Sequence, residues 1–130
     1  MTLVKEVIGK KVMDIKQVLR GEVYKCHLKE GIGSEQTKDR PVVIIQNDTG
    51  NLFSPTTIVA VISTKPKKRD YPMHVKVAKG AGGLLEDSEI FLEQIETIDK
   101  TRLYEYIGTF NESDEIMQKI NAAIRVSLGL

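Results

Sequence analysis

The chain has one cysteine, two histidines and almost no net charge. Cys26 alone cannot form an internal disulfide, and a single thiol fits a reducing, cytoplasmic setting. Cys26, His27 and His74 supply no spaced ligand set, so neither a metal nor another cofactor is expected. Glu86, Asp87 and Glu89 offer a conceivable Mg²⁺ site, but the plainer reading is surface acids on a loop and a strand start. No apolar run approaches the ~18 residues that a bilayer span requires. Charge interrupts the opening Met1 to Glu6 too soon for a secretory signal. The Gly80–Gly83 cluster is not followed by Lys-Ser/Thr, and no Gly-x-Ser-x-Gly elbow occurs, so nucleotide-loop and serine-hydrolase chemistry lack their signatures. Repeats and low-complexity segments are also missing.

What is present is one domain's worth of chain: 130 residues, 41% hydrophobic and 28% charged. Lys+Arg 19 against Asp+Glu 18 leaves +1, but the charge is uneven. Residues 1–29 carry net +4, residues 30–63 net −2, residues 64–80 net +5 and residues 81–130 net −6. A basic segment (Lys65, Lys67, Lys68, Arg69, Lys76, Lys79) therefore sits beside an acidic C-terminal half. Exposed charge acts mainly within a Debye length of about 8–10 Å, so such a segment can attract a polyanion on a neutral protein, although charge runs are commonly just solvated.

Apolar positions at Val4, Ile8, Val12, Ile15 and Leu19 have helix-like spacing, weakened by Gly9. Glu22 to Leu28 alternates as a half-buried strand, and 31–39 is a polar, glycine-containing loop. Pro41–Ile45 and Thr56–Ser63 are β-branched runs of strand length, separated by a turn-rich Asn47–Ser54. Met73–Ala78, Glu89–Ile95 and Leu103–Phe110 read as further strands. Ser113 is placed to cap a final helix whose apolar face is Ile116, Ile120, Ala123, Ile124 and Leu128. Several short strands closed by a helix predict a small barrel or sandwich.

Five residues carry the most chemical information. Arg40 ends a polar loop and precedes a buried run, where its guanidinium can meet an anion bidentately or serve as an ion-paired surface arginine. Ser63 and Thr64 end the other buried run and lead into the basic loop, as phosphate-binding hydroxyls or as plain strand-end residues. His27 and His74 have side chains suited to neutral-pH proton transfer, but their alternating strands favour structural roles.

An ordered series then stands out: Arg20-Gly21-Glu22-Val23-Tyr24, Gly33-Ser34-Glu35-Gln36, Arg40 through Asp48, Gly50 through Thr56, Leu92-Glu93-Gln94-Ile95 and Thr97-Ile98-Asp99-Lys100. Together these resemble the MazF/PemK family of toxin endoribonucleases, from about Arg20 to about Leu128. The resemblance implies a mainly β (α+β) fold, a small SH3-like β-barrel of the PemK/MazF/CcdB type with a C-terminal helix. It implies a homodimer that cuts single-stranded RNA without a metal, held inactive by an antitoxin protein with an acidic flexible tail. By position the catalytic pair is Arg40 and Ser63, with Thr64 as an adjacent fallback. Ser34, Glu35, Gln36, Lys65, Glu93 and Gln94 are the candidate RNA-binding residues.

This chain departs from the family pattern in three places. Ser63 stands where the family usually has threonine, keeping the hydroxyl but losing the methyl that restricts its rotamer. Glu96 stands where close relatives carry arginine, a reversal that disfavours phosphate. Residues 1–18 precede the usual start, as an extension with a possible helix ahead of a toxin domain over 19–130. The competing expectation is a catalytically weak barrel acting as a protein-binding module, like the gyrase-inhibiting toxins of this fold, or as an RNA binder without cleavage.

Overall fold

The two β-branched runs of the sequence form the centre of a six-stranded antiparallel sheet. The computed structural model describes residues 3–4, 15–29, 37–112 and 114–130. Its strands are β1 (Leu3–Val4), β2 (Ile15–Lys16), β3 (Glu22–Lys29), β4 (Thr37–Ile44), β5 (Thr56–Ser63), β6 (His74–Val77), β7 (Ser88–Asp99) and β8 (Leu103–Thr109). Its helices are α1 (Asp48–Phe53) and α2 (Glu115–Leu128), with 3₁₀ turns at Ala81–Gly83 and Lys100–Arg102. The main sheet runs β6-β7-β5-β4-β3-β8, and β1 pairs separately with β2. This is the expected mainly β, barrel-like architecture with its C-terminal helix. Among the described residues no ladder joins the edge strands β6 and β8, so the barrel is open.

Strand alternation sorts the apolar residues into two cores. Val23, Val43, Ala60, Ile62, Ile90 and Leu92 pack with Met117, Ile120 and Ala123 of α2. On the other side Tyr24, Cys26, Val42, Ile44, Val59 and Val61 pack with Val18, Ile98 and Leu103. Each fully buried Met or Ile on α2 contributes about 1.5–3 kcal/mol by leaving water. Leu128, expected on the apolar face, is 59% exposed because α2 runs past the core it covers. The Ser113 cap lies outside the described residues. Asp114 holds the N-cap position, and its carboxylate accepts from the Asn111 N–H at 2.8 Å instead of capping its own helix.

The helix expected from Val4 to Leu19 is overturned at its ends, where Leu3 pairs with Lys16 and Val4 with Ile15 as antiparallel strands. Valine and isoleucine favour extended backbone. The intervening residues 5–14 lie outside the described residues. The turn-rich Asn47–Ser54 is also corrected, since it contains α1. Asn47 caps it by accepting from the Gly50 N–H at 2.8 Å. Asn51, 1% exposed, donates to Gln46 O and accepts from Gln46 Nε2 and Thr57 Oγ1. Lys100 is buried with its ammonium donating to Asn51 O, and that burial holds it below the usual lysine range.

The Arg20-Gly21-Glu22 motif is scaffold. Arg20 donates from Nε to Ile45 O (2.9 Å) and from a terminal nitrogen to Asn121 Oδ1 (2.6 Å), tying the end of β4 to α2. Gly21 adopts φ +93°, and a Cβ there would meet Phe110 O at 2.3 Å. Glu22 accepts from the Leu19 N–H and from Tyr24 Oη. No helix of the described residues is long and apolar enough to cross a membrane.

Candidate functional site

The site is built by register. β4 and β5 pair Val42 with Val61, Val43 with Ala60 and Ile44 with Val59. Arg40 lies two residues before Val42 and Ser63 two after Val61, just beyond the last paired residues, so alternation puts both on the face of that pair. Across the neighbouring ladders Arg40 pairs with Cys26, Ser63 with Glu89 and Glu89 with Lys76. Residues in register share a face, so Ser63, Glu89 and Lys76 form one transverse row on the face that also bears Arg40.

Arg40 lines an open cleft of about 230 Å³ with Leu28, Lys29, Lys38, Val61, Gln94 and Glu96. The strand holding it begins at Thr37, four residues before the Pro41 start read from the sequence. Residues 37–41 pair only with β3, so Pro41 lacks an N–H where β5 has not yet joined the ladder. Ser63 Oγ accepts from the Lys65 N–H at 3.1 Å, a local turn that fixes the hydroxyl at the strand end. Thr64 goes elsewhere: with Lys25, Pro41 and Leu84 it lines a separate cavity of about 350 Å³. Lys65 is exposed in the basic loop, and Ser34, Glu35 and Gln36 lie outside the described residues.

Glu93 and Gln94 sit on an irregularity of β7. Val61 faces Phe91 while its neighbour Ala60 faces Ile95, leaving Leu92, Glu93 and Gln94 without partners on β5. Such a bulge re-aims side chains, and here Gln94 reaches the Arg40 cleft while Leu92 stays buried. Glu96 faces Val59 and lines the same cleft as Arg40, so the cleft holds a carboxylate as well as the guanidinium.

Neighbouring groups are electrostatically settled. Burial pushes the Cys26 thiol up to about 12, so it remains protonated packing at neutral pH. Asp39, the register partner of His27, is held below the usual carboxylate range, first by the His27 Nδ1 contact at 2.5 Å and then by Tyr104. In the basic segment Lys76 pairs with Asp70 at 2.8 Å, and Lys67 and Arg69 lie over the Phe91 and Tyr71 rings.

Sequence reasoning missed Glu89. Taken as a surface acid, it is fully buried, accepting from the Lys67 N–H and contacting His74. A hydrophobic-alternation signal is blind to a carboxylate whose partners arrive from residues 15 and 22 positions away.

Comparisons with known proteins place the family and the fold. The model of the PemK-like, MazF-like toxins of type II toxin-antitoxin systems matches residues 19–128. Endoribonuclease MazF of Staphylococcus saprophyticus is 51% identical over 111 residues, covering 85% of this chain and 91% of that protein. Endoribonuclease EndoA of Bacillus subtilis is 48% identical over 113 residues, covering 87% and 96%. A solved mycobacterial endoribonuclease in complex with its cognate antitoxin superposes with a TM-score of 0.70 at 27% identity, covering 87% of this chain and 96% of that one. The chain therefore belongs to the PemK-like, MazF-like toxins of type II toxin-antitoxin systems.

Proposed function

We propose that the chain is the toxin of a toxin–antitoxin pair, a cytoplasmic, metal-independent endoribonuclease cutting single-stranded mRNA at short sequences. The carrying observation is the placement of Arg40 in an open cleft with Lys29, Lys38 and Gln94, on the sheet face that bears Ser63. The ribose 2′-OH gives up its proton and attacks the adjacent phosphorus, the P–O5′ bond breaks, and the leaving 5′ oxygen takes up a proton, so none is gained or lost overall. The products are a 2′,3′-cyclic phosphate and a 5′-OH. Arg40 contributes a permanent cation at the phosphoryl oxygens, where negative charge grows in the transition state. Ser63 supplies a hydroxyl beside the same phosphate. Gln94 and Glu93 present amide and carboxylate groups for base edges, and Lys65, with Ser34, Glu35 and Gln36, completes the RNA contact.

The catalytic domain is residues 19–130, preceded by an extension over 1–18. Its partners are RNA, an antitoxin with an acidic flexible tail, and a second copy of the chain.

Incubation of the purified chain with a long mixed-sequence RNA in EDTA tests this reading. Discrete fragments ending in a cyclic phosphate are expected; intact RNA overturns it.

A further inference from the structure

His74 belongs to no part of the chemistry above, yet its surroundings are unusually constrained. On β7, Glu89, Phe91 and Glu93 are spaced at i, i+2 and i+4, and His74 on β6 is the register partner of Phe91. Its ring lies 4.5 Å from the Phe91 ring and 5.0 Å from Tyr71. Nδ1 is 2.6 Å from Glu89 Oε2, and Nε2 is 2.7 Å from Glu93 Oε2. The imidazole thus bridges two carboxylates of one strand, with only 5% of its side chain exposed.

The bridge has a fixed end and a free-standing end. Glu89 is 0% exposed, and its second oxygen accepts from the Lys67 N–H at 2.7 Å. Glu93 is 43% exposed and sits within the three residues of β7 that lack partners on β5. A bulge without cross-strand bonds on one side needs another restraint to hold one conformation. On the other side the Leu92 N–H donates to Met73 O, next to His74. Gln94, the following residue, lines the Arg40 cleft.

From this geometry we infer that His74 is a positioning residue. Anchored through Glu89, it holds Glu93 and with it the β7 bulge, so that the 93–94 edge meets RNA bases in one orientation. Its role is sequence discrimination. The chemical step stays with Arg40 and Ser63, because both ring nitrogens of His74 are engaged by carboxylates. The inference rests on the endoribonuclease reading for its RNA consequence, and on the protein alone for its structural one.

Two measurements separate these. In wild type and Glu93→Gln, the ring-nitrogen NMR signals of His74 are compared: Nε2 is expected to shift while Nδ1, held by Glu89, stays. An unmoved Nε2 signal overturns the inference whether or not RNA is cut. In the second, kcat/KM is measured on the preferred sequence and its single-base variants. His74→Gln is expected to lower the ratio between them by about tenfold while kcat on the preferred sequence falls far less. Added to Glu93→Ala, the same substitution is expected to change the ratio by less than about twofold, because it acts through Glu93. An unchanged ratio in the single variant, or equal losses in both backgrounds, overturns the inference while leaving the nuclease reading intact. Intact RNA with wild type overturns that reading instead, and the NMR result still decides the clamp.

Discussion

Arg40 and Ser63 lie on one sheet face, each two residues beyond the Val42–Val61 pair that ends the β4–β5 ladder. Thr64, one residue on, lines a different cavity. Arg40→Ala is therefore expected to lower kcat/KM by at least about 10²-fold, the scale of removing one transition-state donor. Ser63→Ala is expected to cost about tenfold, while Thr64→Val changes the rate less than about twofold, as for a residue outside the reacting geometry. Cleavage rates on one oligonucleotide check all three, and a larger loss at Thr64 than at Ser63 would reverse the assignment.

Glu96 shares the Arg40 cleft and opposes its charge. Glu96→Arg is expected to tighten RNA binding and to steepen the plot of log affinity against log salt by about 0.7, one single-stranded phosphate contact. Titration of a short RNA at several salt concentrations measures the slope, and an unchanged slope would mean that RNA passes elsewhere.

Asn51 joins α1 to β5 through bonds to Gln46 and Thr57. Asn51→Ala leaves buried groups unpaired, including Thr57 Oγ1, and is expected to lower stability by about 2–4 kcal/mol. Urea unfolding reads the loss, which should fall partly on Gln46→Ala as well, because the two side chains bond each other.

Asp39 has a lowered folded-state pKa, chiefly from its bond to His27. A depressed carboxylate contributes stability above its unfolded value, about 3.9, and loses it as pH falls through the folded value. The urea midpoint of wild type should exceed that of Asp39→Asn at about pH 5, and the gap should close toward about pH 3. Because the pair is exposed, high salt should narrow the gap too. A gap that widens in acid would contradict the assigned cause.

Legibility followed the range of the interactions involved. β5 begins and ends where its β-branched run does, because burial on both faces writes an unbroken apolar stretch. α1 was hidden by Asn47, Asp48 and Gly50, residues that favour turns; its stability comes from buried Asn51 and from Lys100, 49 positions away. β7 runs on to Asp99, four residues past its expected end, since the bulge at 92–94 breaks the alternation that marks a strand.

By itself the sequence determined the succession of strands along the chain, the final helix and Arg40 as the cation beside a buried run, since propensity and patterning act between near neighbours. Only the tertiary structure decided that Ser63 shares the face of Arg40, that Glu96 opposes it, and that buried Glu89 reaches Glu93 through His74. Alternation tells each strand which residues share its own side. Register between strands is fixed by ladder hydrogen bonds and bulges formed across tens of residues, and these exist only once the sheet has assembled.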